Sequence, residues 1–107
     1  METTYQSQTF SGLAPNPAPG TEIFTGIAVS YFDNATKIIH IWSRHNDLMI
    51  RFSFTSDALP GGELNWNDPI QINDAPQSEP IYHSAQAFQV VNLTTGAAAW
   101  FQVVGMW

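Results

Sequence analysis

Residues 38–54, IIHIWSRHNDLMIRFSF, alternate apolar and polar side chains with a period of two. A helix would need apolar residues every three to four positions, so this stretch commits the chain to extended strands. In the first run, residues 37–43, Ile39 and Ile41 share one face and Ile38, His40 and Trp42 the other. In the second, Leu48, Ile50, Phe52 and Phe54 oppose Met49, Arg51 and Ser53. The polar link Arg44-His45-Asn46-Asp47 between them has hairpin length. The pair is therefore predicted to form a β-hairpin, with one apolar face and one face carrying His40, Trp42, Arg51 and Ser53.

No helical period is sustained anywhere else, so the predicted fold class is all-β, and 107 residues support a single domain, 1–107. Residues 23–32 read as a strand that turns through Asp33-Asn34-Ala35-Thr36 into the hairpin, which makes an antiparallel meander. Further strands are predicted over 70–72, 81–84, 85–93 and 97–104. Ala97, Ala98 and Ala99 favour helix, but the following Trp-Phe-Gln-Val-Val favours strand. Residues 1–10 suit a short edge strand or a loose arm. Residues 11–21, SGLAPNPAPGT, suit a Pro-rich loop or an arm passed to a neighbouring subunit, because each residue before a proline is held extended.

Composition narrows the function. Three Lys and Arg against nine Asp and Glu give a net charge of −6, and phosphate neutralisation needs clustered basic residues. Nucleic acid and anionic membrane surfaces are poor partners for such a chain. Cysteine is absent, which excludes disulfides and thiolate metal sites. The opening METTYQSQTF lacks a basic and an apolar segment, so no signal peptide is read, membrane insertion is not expected, and the expected location is cytoplasmic. Asn34-Ala-Thr36 and Asn92-Leu-Thr94 match the glycosylation sequon and are read as accidental matches. Four Trp and seven Phe among many Asn, Gln, Ser and Thr describe either a β-rich core or a neutral polar binding surface.

Candidate chemistry is sparse. His40, His45 and His83 show no metal-ligand spacing, and no phosphate loop or nucleophile elbow is present, so no metal or cofactor is expected. Asp57, Glu63, Asp68 and Asp74 crowd two long loops; a glycosidase-like pair would need such acids, but solvated loop acids are far commoner, and the chain is not expected to be an enzyme. A binding site fares better. Trp66 lies in the long loop 55–69, after Pro60-Gly61-Gly62 and between Asn65 and Asn67. It is predicted to be a stacking platform for a neutral glycan, with the two Asn side chains bonding hydroxyls and with His40, Trp42 and Arg51 flanking it if the hairpin face lies beneath the loop. Trp100 and Trp107 are expected in the core or a subunit interface. The expected assembly is a homo-oligomer with the C-terminal strand or Trp107 at an interface. The leading expectation is a carbohydrate-binding protein (a lectin). The alternative is a structural or protein-interaction β domain.

The stretch GIAVSYFDNATKIIHIWSRHNDLMIRFSF, followed by LNWNDPIQI, resembles one blade of the fungal fucose-type β-propeller lectins. Residues 27–31 are similar to the small-apolar first strand of such a blade, Ile39-His40-Ile41-Trp42 to the second and residues 49–54 to the third, with Trp66 at the loop Trp. The resemblance covers residues 26–72. His40 stands where the family has its fucose-holding Arg, and Arg51 stands near the position of its Glu. One blade cannot close a propeller, so the resemblance implies several subunits completing a ring, while the residues alone leave a small β-sandwich or barrel equally open.

Overall fold

The computed structural model describes residues 6–20, 22–45, 47–53, 66–72, 84–94 and 96–107, and it is all-β. Its strands are β1 (Ser7–Leu13), β2 (Ser30–Tyr31), β3 (Ile38–Arg44), β4 (Leu48–Ser53), β5 (Ile70–Ile72), β6 (Ala87–Asn92) and β7 (Trp100–Met106). They form two antiparallel sheets. Sheet A has the order β1-β7-β3 and sheet B the order β2-β6-β4-β5. Ile39, Ile41 and Val103 of sheet A meet Leu48, Ile50, Phe52, Phe88 and Val90 of sheet B in one contiguous core. This is a small β-sandwich. Among the described residues no helix is long and apolar enough to cross a membrane.

Period-two alternation decides which side of each strand is buried. Ile39 and Ile41 of β3, and Leu48, Ile50 and Phe52 of β4, are all nearly inaccessible, each contributing roughly 1.5–3 kcal/mol of burial. An aromatic cluster closes one part of the core. Phe88 meets Phe10 edge-on at 5.2 Å and Phe101 at 6.5 Å, and Phe32 meets Phe10 at 5.5 Å. Gly105 is required by this packing, since a Cβ there would lie 2.5 Å from the Phe32 ring and 2.7 Å from the Thr36 methyl.

The pairing differs from the predicted hairpin. β3 pairs with β7 and β4 with β5 and β6, so the two runs belong to opposite sheets and the link between them turns a corner of the sandwich. His45, in the left-handed region at φ 81°, makes part of that corner. The meander is corrected with it: the strands that the blade resemblance places side by side, β2, β3 and β4, are divided between the two sheets. The physical reason is that alternation marks a buried face and says nothing of which strand lies alongside.

Boundaries shift as well. β1 runs on to Leu13, so the Pro-rich segment begins at Ala14 and is strapped to its own chain. There Asn92 N–H donates to the Pro15 carbonyl at 2.8 Å, and the Asn16 amide donates to the Asn92 and Thr94 carbonyls at 2.8 and 3.1 Å. The strand predicted over 23–32 shortens to Ser30–Tyr31, because Thr25 N–H closes a turn onto the Glu22 carbonyl at 3.0 Å and Gly26 takes φ 77°. β7 is the central strand of sheet A, paired on both sides, so it offers no free edge for assembly. The strand predicted over 81–84 and the Pro60-Gly61-Gly62 turn fall on residues outside or largely outside the described ones.

Candidate functional site

Because both sheets turn their apolar residues inward, the sandwich has two outer faces. Directly opposed residues of an antiparallel ladder share a face. On sheet A the outer rows are therefore Ser7–Met106–Ile38, Thr9–Val104–His40, Ser11–Gln102–Trp42 and Leu13–Trp100–Arg44. The last two rows carry an open cleft of about 790 Å³, lined by Ser11, Trp42, Arg44, Trp100 and Gln102, with the Gly12–Phe101–Ser43 row between them. Trp42 and Trp100 are diagonal neighbours on β3 and β7, a spacing of roughly 7–8 Å that brings large side chains within reach of each other. Trp100 is 46 % exposed and Leu13 beside it 55 % exposed. His40, outside the cleft lining, stacks on Trp42 with ring centroids 5.6 Å apart and planes 19° apart, so the lining Trp42 ring is backed by a second aromatic ring.

Sheet B presents a different outer face. The segment 22–29 lies across it, and all six residues of β6 are buried. The Arg51 guanidinium stands 4.5 Å from the Phe24 ring centre and 4.4 Å from that of Trp66. Its Nε–H donates to Gln89 Oε1 at 2.7 Å, and the Gln89 amide donates to the Ile27 carbonyl at 2.7 Å. Burial pushes the Arg51 guanidinium below its ordinary value and Glu22 pulls it back in part; the group stays charged at any physiological pH. Trp66 itself is half-buried. It bridges Ser53, and the neighbouring Asn67 N–H donates to the Phe52 carbonyl at 2.9 Å, which zips this short segment onto the end of β4.

The six predicted site residues thus fall into separate places. His40 and Trp42 sit together on the outer face of sheet A. Arg51, Trp66 and Asn67 sit at sheet B, on the far side of the core. Asn65 lies outside the described residues, as do Asp57, Glu63, Asp74 and His83. The expected flanking of Trp66 by His40 and Trp42 is therefore corrected, and its reason is the corner between β3 and β4 that sends the two polar faces to opposite sides. Ser53 is corrected too, being fully buried. Trp100, expected in the core or an interface, is no core residue. The signal for it was present: with Phe101 and Val103 inward, Trp100 and Gln102 must point out. Arg44 and Ser11 carry no such signal, because their sequence context is that of a turn and a loop. Among the described residues no three His, Asp or Glu side chains gather as a metal site. No protein-family model, curated protein or solved structure matches the chain at a significant level.

Proposed function

We propose that this protein is a non-catalytic carbohydrate-binding protein whose site is the cleft on the outer face of sheet A. One observation carries the reading: Trp42 and Trp100 line a single open cleft together with Ser11, Arg44 and Gln102. Sugar rings present C–H groups on one face and hydroxyls around the rim. Aromatic faces take the first by dispersion and by the ring's negative π-cloud. Gln102 offers a donor and an acceptor, Ser11 does the same, and Arg44 offers a fork of donors. The cleft volume lies within the range of small-molecule sites, and its openness suits one or two units of a longer glycan. The net charge of −6 favours neutral ligands over anionic ones.

The test is a neutral-glycan array followed by titration of the best hit against Trp100→Ala and Trp42→Ala. Each variant is expected to lose at least tenfold in affinity, with Trp100→Ala staying close to the parent's thermal stability because nearly half of its surface is already exposed. An array without a hit, or a Trp100→Ala protein that binds as the parent does, overturns the reading and leaves the aromatic face to a protein partner.

A further inference from the structure

Among the described residues β1 is an edge strand with no strand paired to its outer side. Gln6 and Trp107 exchange two backbone hydrogen bonds at 2.9 Å, and Ala14 N–H donates to the Ala99 carbonyl at 2.9 Å. Even-numbered residues of this segment therefore aim their backbone at β7. Alternation along an antiparallel ladder turns the N–H and C=O groups of Ser7, Thr9, Ser11 and Leu13 the other way. All four residues are exposed, and none of them has a further hydrogen-bonding partner among the described residues. The remaining edges are different. On β3, Ile41 and Ser43 are already engaged, and the edge strands of sheet B are only two and three residues long. Proteins guard long edges with lysine, proline, bulges or a covering loop. β1 is seven residues of SQTFSGL, with no charge and no proline.

We propose that β1 is a self-docking edge, and that its occupant is β1 of a second copy of this chain. The strands pair antiparallel across a two-fold axis normal to the sheet, with Ser7 opposite Leu13 and Thr9 opposite Ser11. In that register every outward N–H and C=O of the strand finds a partner on the other copy, and sheet A becomes a six-stranded sheet, β3-β7-β1-β1-β7-β3. The absence of charge selects the occupant. Two copies of a chain with net charge −6 bring no like-charged side chains opposite one another along β1, and the strand's own alternation supplies complementary N–H and C=O groups. Pro15, Pro17 and Pro19 follow at once, so the pairing ends where β1 ends and does not grow into an open ladder.

The experiment is sedimentation of the full chain from about 1 to 100 µM, with Thr9→Pro, Ser11→Lys and Thr9→Val. Thr9 directs its N–H outward, so proline there removes no bond to β7. The parent is expected to reach a dimer within this range, Thr9→Val to match it, and Thr9→Pro and Ser11→Lys to remain monomers with an unchanged far-UV circular dichroism spectrum. Should Thr9→Pro fail to fold, Ser11→Lys decides alone. Amide exchange at Ser7, Thr9, Ser11 and Leu13 is expected to slow at least tenfold between the dilute and the concentrated parent. A parent that stays monomeric at 100 µM, or a Ser11→Lys protein that dimerises like the parent, overturns the proposal. So does a parent that is monomeric yet captures an unrelated extended peptide on β1.

Discussion

The two outer faces of the sandwich start from similar material and end differently. Sheet A turns out His40, Trp42 and Trp100; sheet B turns out Arg51 and Gln89 with Trp66 close by. On sheet A nothing described lies above the tryptophans, and Trp100 stays 46 % exposed. On sheet B the segment 22–29 closes over the polar pair, and Gln89 falls to 5 % exposure with both ends of its amide satisfied. An outward aromatic or cation on a strand is thus a candidate site only where no loop roofs it. Without that roof, Gln89 and Arg51 would be ordinary surface groups. With it, they are structural, because a buried polar group must keep its partners.

The comparison can be broken from below. Phe88→Ala removes the ring that joins Phe10, Phe101 and Phe32 under both faces, and it is expected to cost about 3–5 kcal/mol by denaturant titration, disordering site and roof together. Gly105→Ala, which drives a methyl into Phe32 and Thr36, is expected to cost about 1–3 kcal/mol by the same measurement. The roof is tested by Arg51→Ala. This leaves Gln89 Oε1 without its donor and is expected to cost about 1–3 kcal/mol while glycan affinity is unchanged. Trp100→Ala is its mirror image: within about 0.5 kcal/mol of the parent in stability, as for other surface changes, but defective in binding. If Arg51→Ala abolished binding and Trp100→Ala did not, the two faces would exchange roles. A small gain is expected at the corner, where His45→Gly relieves a left-handed backbone and should raise stability by a few tenths of a kcal/mol, up to about 1 kcal/mol, with no change in binding.

These contrasts also mark what could be read in advance. Alternation through residues 38–52 separates Ile39, Ile41, Leu48, Ile50 and Phe52 from the outward set, failing at Ser53, and β5 stands at its predicted limits. Pairing could not be found that way, since a four-residue link serves a hairpin or a corner equally well. Segment 23–32 misled because Ile23, Ile27 and Val29 look like a strand, while their position over β6 is a tertiary fact with no local mark. β6 itself lost its alternation because both its faces are covered, and so AFQVVN carries apolar residues on each side. The candidate site was legible by residue type, aromatic beside hydrogen-bonding groups, but not by place. Trp42 and Trp100 lie far apart in the chain and meet only because β7 inserts beside β3.

The unpaired edge of β1 has a consequence for the cleft that begins on that same strand. A two-fold axis normal to the sheet keeps both outer faces on one side. Counting three strand spacings across and six residues along puts the two Trp100 rings on the order of 25 Å apart, facing the same way. A surface decorated with repeated sugars would then meet two clefts at once. The second engagement proceeds at the effective concentration set by the first, so the pair holds such a surface roughly 10²–10⁴ times more tightly than either cleft alone, with no added contact to sugar. A soluble monosaccharide would gain nothing from the pairing, and Thr9→Pro, which lies outside the cleft lining, would abolish the gain at the edge that produces it.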